Sequence, residues 1–446
     1  MKQENKKYLF IVNYGVEYRN FFLSGLSNQF PNHIVFERNL NSSLFVDYIE
    51  KYILETKRVN RSVFEKKRNF IEDIFQSVRQ SRMTLKKIGI FKNYNMKINK
   101  ISIRDHIKGN MVIYNILRTL VLSIIPRYYR DEQIVKLFKE NKVTDIIISG
   151  YSSTASIAFA VNAISNDINV WVLVNSWKDL YINEFVPFSP SGLFVWSEEM
   201  KHNYLSLNTH LNPSKVYAYG NPVFDRFYKY KPKYSRSYYE KKYSIKPSQP
   251  ILLYTMLDPD RYSKEHVIIG MIGDALLEKY DEAVRPKIVV RRNPFDPSEE
   301  LLKYFADHEA ISVADHFSER DKDNDFFVQS IEGEDEWMDL LYYSSMNIGA
   351  ASTVALEALM LGKPVITVAF DHDDRPSRLL LSMAEAPFYK SLLDRQDVSL
   401  VKSCKECLES IDNFLRQTGG QEGLPEILGI VDGRAAQRIA EEIKNG

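Results

Sequence analysis

The stretch from Met346 to Phe370, MNIGAASTVALEALMLGKPVITVAF, limits what this chain can fold into more than any other. It reads as strand, tight turn, helix and strand. Met346 to Ala350 is a short apolar run ending on Gly349 and Ala350. Ser352 and Thr353 then place small hydroxyl residues at the natural N-cap of the next element. Val354 to Leu361 is apolar nearly all round, the pattern of a helix buried against a sheet. Gly362 supplies a left-handed stop, and Pro364 forbids continuation. Pro364 to Phe370 is rich in β-branched residues, as a buried parallel strand is.

The chemistry follows from that geometry. The turn leaves backbone N–H groups open beside the Ser352 and Thr353 hydroxyls, and the positive end of a helix suits a diphosphate. Glu357 lies one turn further in, amid apolar neighbours, where an unpaired carboxylate is costly. Two readings stand for it. It hydrogen-bonds ribose hydroxyls, or it belongs to an ordinary crossover helix and pairs with an arginine or reaches solvent.

The run S-T-V-A-L-E-A-L-x-L-G-K-P-V-I from Ser352 resembles the nucleotide-sugar-binding C-terminal domain of GT-B glycosyltransferases. It is most similar to those that build bacterial surface polysaccharides, near CDP-glycerol glycerophosphotransferases and non-hydrolysing UDP-GlcNAc 2-epimerases. Asn175 to Leu180 (NSWKDL) resembles the Ser-Trp-Asp-Asn-Leu segment of one such group. Phe194 to Glu199, then Tyr219 to Arg226, match the run that ends the N-terminal domain there. The resemblance spans Ile146 to Phe370. It implies an α/β GT-B fold, two Rossmann-like domains facing across a cleft, and a metal-independent transferase.

With 446 residues the chain is too long for one typical core and fits two domains. We expect an N-terminal acceptor domain over 1–227, a linker over 228–250 and a nucleotide-sugar domain over 251–425. A final helix over 426–446 returns, as the resemblance implies, to the first domain. Hydrophobic residues make up 44% and charged residues 26%, which excludes a disordered chain. The two cysteines, Cys404 and Cys407, have redox or zinc spacing. They lack a second pair or a nearby histidine and sit in a charged helical pattern, so we read two reduced thiols. With no signal peptide, this points to the cytoplasm.

Lys7 to Asn13 reads as a first strand, Tyr14-Gly15 as a turn, and Glu17 to Phe30 as a helix. This is how a Rossmann-like domain opens. From Lys51 to Lys108 lysine and arginine recur with few acids, with Phe64, Phe70, Ile71, Ile74 and Phe75 between them at helical spacing. Together with the apolar Asn110 to Pro126 this reads as a basic helical insertion over about 50–126. The run is too short for a membrane span and carries Arg118. Three readings stand: contact with an anionic membrane face, a solvated helical cover on the sheet, or nucleic acid. We set nucleic acid aside because no such module accompanies the charge.

Asp145 to Ser149 is a strand that delivers Ser152 and Ser153 to a helix start, and Val170 to Val174 delivers Asn175, Trp177 and Asp179 to the same edge. Tyr14, Arg19, Ser152, Ser153 and Trp177 are therefore acceptor-binding candidates, the tryptophan by stacking on a sugar face or else by simple packing. In the second domain Ile251 to Met256 is a strand, and Lys287 to Val290 ends on Arg291 and Arg292, a diphosphate clamp by charge and fork geometry. Related enzymes place a histidine where Asn293 stands. The donor-binding set is then Thr255, Arg291, Arg292, Gly349, Ser352, Thr353, Glu357 and Asp371, with Asp371 opening a D-H-D-D-R loop. From Asp397 the tail reads as helical.

Retaining members of the fold carry Glu-x7-Glu, and here Gly349 occupies the first position. An inverting displacement needs a general base on the acceptor side, with Glu17, Asp105, His106 and Asp179 as candidates. The leading expectation is transfer of a sugar from a nucleotide sugar to a glycan or lipid-linked acceptor, with no cofactor or metal. The alternatives are a CDP-glycerol-type phosphotransferase, a sugar-nucleotide 2-epimerase, or a non-catalytic nucleotide-sugar-binding subunit of an assembly complex.

Overall fold

The computed structural model describes residues 6–13, 15–38, 56–59, 111–182, 185–294, 296, 299–315, 318–321, 326–416 and 423–446. The chain divides into two compact units. The first holds the residues up to Tyr228 together with those from Glu426 onward, and the second holds Lys229 to Pro425.

The first unit is built on seven parallel strands: β1 (Tyr8–Val12), β2 (His33–Arg38), β3 (Thr56–Val59), β4 (Asp145–Ser149), β5 (Asn169–Leu173), β6 (Gly192–Val195) and β7 (Val216–Ala218). Their order is β3-β2-β1-β4-β5-β6-β7. The strands β1 and β4 are buried at every position, as near-continuous apolar runs must be when helices cover both faces of a parallel sheet. Connections include α1 (Gly15–Tyr18), α2 (Met111–Tyr128), α3 (Glu132–Glu140), α4 (Thr154–Ile164) and α5 (Glu198–Leu207). Asp145 is the one acid in β4. It is fully buried and accepts from Trp171 Nε1 (2.9 Å), Asn169 Nδ2 (3.0 Å) and Thr144 Oγ1 (2.7 Å), which removes the cost of burying it.

The last helix, Ala435–Asn445, packs on this first unit. Asp225 caps it from outside by accepting from the Ala435 and Ala436 N–H groups at 3.0 and 2.8 Å. Glu442 accepts from Tyr219 at 3.0 Å. The approach is close: a Cβ on Gly429 would lie 2.0 Å from the Trp196 carbonyl oxygen, and the residue has φ +65°, so glycine is required twice over.

The second unit has six parallel strands: β8 (Ile251–Thr255), β9 (Lys287–Arg291), β10 (Ile311–Val313), β13 (Met346–Gly349), β14 (Val365–Val368) and β15 (Val398–Val401). Their order is β10-β9-β8-β13-β14-β15. A separate antiparallel hairpin joins β11 (Ser318–Asp321) to β12 (Phe326–Gln329). The helices include α6 (Arg236–Lys242), α7 (Glu265–Lys279), α8 (Ile331–Tyr343), α9 (Val354–Met360) and α10 (Cys404–Arg416). Gly362 has φ +69° just after α9 and provides the left-handed exit.

Several boundaries differ from the sequence reading. The helix expected over Glu17 to Phe30 is α1, then a π-helical turn over Arg19–Leu23, then a 3-10 turn over Ser27–Gln29, because Gly25 at φ +76° breaks the run. Part of the basic helical insertion is the edge strand β3, paired parallel to β2; residues 60–110 lie outside the described ones. The helix α2 continues past Pro126 to Tyr128. The tail from Asp397 begins as β15, since Val398 to Val401, with valine at both ends, pairs parallel to β14 and gains more as a sheet strand than as a helical turn. Among the described residues no helix is long and apolar enough to cross a membrane.

Of the segment 228–250, read as a connector, all but Tyr228 belongs to the second unit. One buried acid of α8 organises it. Asp339 accepts from the Tyr230 hydroxyl (2.5 Å), the Tyr239 hydroxyl (2.8 Å) and the backbone N–H groups of Lys233 and Tyr234 (both 2.9 Å). Glu336, one turn earlier, takes Lys242 Nζ at 2.6 Å and the Tyr243 hydroxyl. Asp339→Ala leaves four donors without their acceptor, so we expect about 3 kcal/mol of destabilisation. The urea midpoint of the far-ultraviolet circular dichroism should fall; an unchanged midpoint would show that other contacts hold the connector.

Candidate active site

Every strand in both main sheets is parallel, so all carboxyl ends of one sheet lie along one edge. In such sheets ligands bind outside the carboxyl ends where the strand order reverses. That point falls between β8 and β13 in the second unit and between β1 and β4 in the first.

At the second unit's reversal Thr255 ends β8 and Gly349 ends β13, opposite each other in register. A Cβ on Gly349 would lie 2.6 Å from the Thr255 carbonyl oxygen. The glycine is therefore set by the approach of the two strands, whatever ligand the edge receives. Asn347 ties them further, donating to the Leu253 carbonyl at 3.1 Å and to Thr255 Oγ1 at 3.2 Å. Ser352 and Thr353 follow, half-buried. Thr353 sits at the N-cap of α9 in helical conformation, and its side chain makes no capping bond.

Glu357 is buried, and one of its partners is an indole. Its Oε2 accepts from Trp337 Nε1 at 2.9 Å. The same indole carries the Arg291 guanidinium over its face, 4.2 Å from the ring centroid. Arg291 Nη2 also donates to Gln329 at 3.0 Å. Trp337 thus joins the end of β9 to α9. Arg292 is 6% exposed, and burial lowers its pKa against the pull of Asp296, Asp315 and Glu299. Both arginines line a cavity of about 20 Å³ with Trp337, Asp315 and Gln329. That volume accommodates a water.

Asp371 follows β14. It accepts from the Tyr262 hydroxyl and from His372 Nδ1 at 2.6 Å. Burial works to raise its carboxyl, but these hydrogen bonds outweigh it and hold the group below its ordinary value. Among the described residues no group of three or more His, Cys, Asp or Glu side chains could hold a metal ion. Cys404 and Cys407 are buried free thiols, and burial pushes Cys404 up to about 11, away from thiolate chemistry.

The first unit's reversal carries a buried polar cluster. Glu17 accepts from the Asn13 backbone N–H. Asn20 Nδ2 donates to Ser149 Oγ and to Asn175 Oδ1, each at 2.7 Å. Asn13 Nδ2 donates to Ser156 Oγ at 3.2 Å. Arg19 lies half-buried in the π-helical turn beside Asn20. Ser153 caps α4 by accepting from the Ser156 N–H at 2.9 Å, and Ser152 is exposed. Asp179 accepts from the Ser176 N–H at 3.0 Å, closing its own turn. Trp177 is 1% exposed, so its rings are packed in the core and present no open face for sugar stacking. Tyr14, Asp105 and His106 lie outside the described residues.

No protein-family model matches this chain, and no curated protein matches it by sequence. Solved structures do match it. The UDP-GlcNAc 2-epimerase from Neisseria meningitidis, bound to UDP-GlcNAc, is similar over 99% of this chain and 100% of that one, at 14% identity and TM-score 0.58. The Methanocaldococcus jannaschii UDP-GlcNAc 2-epimerase has the same coverage and identity with TM-score 0.56. Staphylococcus aureus MnaA, solved with UDP, covers 99% and 96% at 12% identity and TM-score 0.58. The fold is GT-B. At these identities the likeness extends to the fold alone.

Among the buried acids that the sequence reading did not single out, one sits beside the loop after β8. Glu265, 2% exposed at the start of α7, accepts from the Leu257 N–H at 2.7 Å and the Tyr254 hydroxyl at 3.1 Å. It ties the loop after β8 to the helix that follows. In sequence it looks like an ordinary first-turn glutamate, and only burial distinguishes it. Burial raises its carboxyl from 4.5 to about 7, against the two hydrogen bonds. The folded state then holds a proton that the unfolded state has lost. Stability from this group is full below pH 4.5 and is lost as pH rises to about 7. The slope is worth on the order of 3 kcal/mol. Chemical denaturation from pH 4.5 to 7.5 should show this decline, and Glu265→Gln should flatten it.

Proposed function

We propose that this chain is a nucleotide-sugar-using enzyme that transfers the sugar to a glycan or lipid-linked acceptor in bacterial surface polysaccharide synthesis. The observation that carries the reading is the buried Glu357 carboxylate, fixed by Trp337 beside Arg291, next to the reversal point of the second sheet. A buried carboxylate and two arginines at the carboxyl edge suit a ligand with both hydroxyls and negative charge. Glu357 receives the ribose hydroxyls. Arg291 and Arg292, with the turn at Ser352 and Thr353, receive the diphosphate, and Thr255, Gly349 and Asp371 border it. The solved structures of similar fold that hold UDP or UDP-GlcNAc support a nucleotide-sugar ligand.

On the acceptor side the candidates for the general base are Glu17 and Asp179 of the first unit, and His106, which lies outside the described residues. No cofactor beyond the nucleotide sugar is needed for such a displacement. A second reading, sugar-nucleotide 2-epimerisation, is favoured by the similarity to two UDP-GlcNAc 2-epimerases. Product analysis separates the two: a glycoside with acceptor present, or a free epimer without one. Donor binding without either product marks a binding subunit.

Thermal-shift screening against UDP-, GDP-, dTDP-, CDP- and CMP-sugars should give a selective rise in melting temperature by mass action. Glu357→Ala should weaken the selected nucleotide roughly tenfold to a hundredfold, the effect of losing hydrogen bonds to a charged group. Arg291→Ala should weaken the diphosphate form more than the nucleoside. Unchanged affinity in folded Glu357→Ala protein would remove the ribose assignment.

A further inference from the structure

The second sheet ends on the three-residue strand β10. A cavity of about 410 Å³ lies against it. That volume is in the range that holds a compact organic molecule. Its apolar side is Ile311 and Val313 of β10, with Leu302 and Phe305 from the helical turn Glu300–Tyr304 and the residue after it. Phe305 and Ile311 are 4% and 2% exposed, so this side is anchored in the core. The polar side is Lys242, the last residue of α6, and Asp315, in the loop after β10. Ser312 Oγ donates to the Tyr243 carbonyl at 2.8 Å and ties the two sides together.

Two carboxylates share one ammonium at the polar side. Lys242 Nζ lies 2.9 Å from Asp315 Oδ2 and 2.6 Å from Glu336 Oε2. The two acids differ in what they can give up. Glu336 is buried, and burial raises its carboxyl against the hydrogen bonds from Lys242 and Tyr243. Taking Lys242 away would strand a buried charge. Asp315 keeps 57% of its side chain exposed, so a second cation can reach it while Lys242 stays on Glu336. The charge on the cavity side is thus short of one cation, and the opposite side is apolar.

Asp315 has a second neighbourhood. It also lines the small cavity bordered by Arg291, Arg292 and Trp337. Its charge acts on Arg292, together with those of Asp296 and Glu299. One carboxylate therefore stands between the larger cavity and the arginine read above as a diphosphate ligand.

We propose that the larger cavity binds a primary ammonium carried on a compact apolar body, the ammonium pairing with Asp315, and that its occupation tightens nucleotide-sugar binding at Arg292. The second half rests on the donor-site reading above; the first does not. A diphosphate at Arg292 is repelled by the Asp315 carboxylate, and a cation seated on Asp315 cancels that repulsion without any backbone movement. A neutral molecule of the same shape gains the apolar contacts alone, and an anion meets two acids. Because binding free energies are reciprocal, the nucleotide sugar tightens the ammonium by the same factor.

The test uses benzylammonium, benzyl alcohol and benzoate, which share a ring and differ in charge. In saturation-transfer NMR titrations near neutral pH, benzylammonium should bind with a Kd on the order of 1 mM, as befits so small a ligand. It should bind roughly twofold to fivefold tighter than benzyl alcohol, the worth of a partly exposed ion pair. Benzoate should bind more weakly than either. Asp315→Asn should remove the preference for the ammonium. Ala306 is an exposed residue that also lines the cavity, so Ala306→Trp should fill it and abolish binding of all three while nucleotide-sugar affinity stays at wild type. Calorimetry then follows the nucleotide sugar selected by the thermal screen. Its Kd should fall roughly twofold to fivefold when benzylammonium is near saturation. Asp315→Asn should show the tighter Kd without the amine and no further response to it. Equal binding of the three probes by the wild type, or an ammonium preference that survives in Asp315→Asn or Ala306→Trp, overturns the cavity site. Amine binding that leaves the Kd of a bound nucleotide sugar unmoved overturns the coupling. Absence of binding by every nucleotide sugar overturns the donor site and the coupling with it, and the probe titrations alone then decide the cavity site.

Discussion

Parallel strand pairing is the constraint on which the rest of this structure depends. A parallel strand cannot be reached by a tight hairpin, so each connection crosses the sheet, and helices come to cover both faces. The strand ends then separate by polarity into two edges. In both units the carboxyl edge gathers the loops. The reversal between β1 and β4, and that between β8 and β13, opens a gap between loops that depart to opposite faces. The polar cluster of Glu17, Asn20, Ser149 and Asn175 lies at one reversal, and Thr255, Asn347 and Gly349 lie at the other. Their positions follow from topology before any side-chain chemistry is considered.

Burial on both faces creates a second requirement. A polar group inside such a sheet or its covering helices must find a partner or lose several kcal/mol, on the order of 1–3 for each orphaned hydrogen bond. This chain meets that requirement with acids that each organise a neighbourhood. Asp145 holds Trp171 and Asn169 in the first sheet. Asp339 gathers four donors of the connector onto α8. Glu265 sets the loop after β8, and Glu357 holds Trp337. The helix α8 is central among them: Glu336 and Asp339 grip the connector, while Trp337 reaches Glu357 and Arg291. The rigidity of the second unit's edge thus rests on a helix that also grips the connector.

The fold was legible where local signals agreed. The β13-turn-α9-β14 unit could be read directly, because Gly349, Gly362, Pro364 and the β-branched run around them all point the same way. Strands of three or four residues such as β10, β11 and β15 were not legible, since so short a run depends on the neighbour that pairs with it. The π-helical turn at Arg19 gave no sequence signal. The candidate site was legible as an edge with the right residue types. What those side chains do was not: Trp177 sits in the core, and Glu357 faces an indole twenty residues away in the chain.

By itself the sequence determined the alternation of strand and helix, the two-domain scale and the strand that ends in Arg291 and Arg292. These depend on periodicity, capping and turn residues, which act over a few neighbours. The tertiary structure alone decided the strand order, and with it which loops share a reversal point. It also decided that Asp339 locks the connector, that Glu265 is buried enough to hold its proton toward neutrality, and that Tyr262, Lys264, Asp371 and His372 meet. Those outcomes depend on desolvation and on contacts between residues some hundred positions apart. Such effects have no local signature, because the energy that produces them exists only once the sheet has brought the loops together.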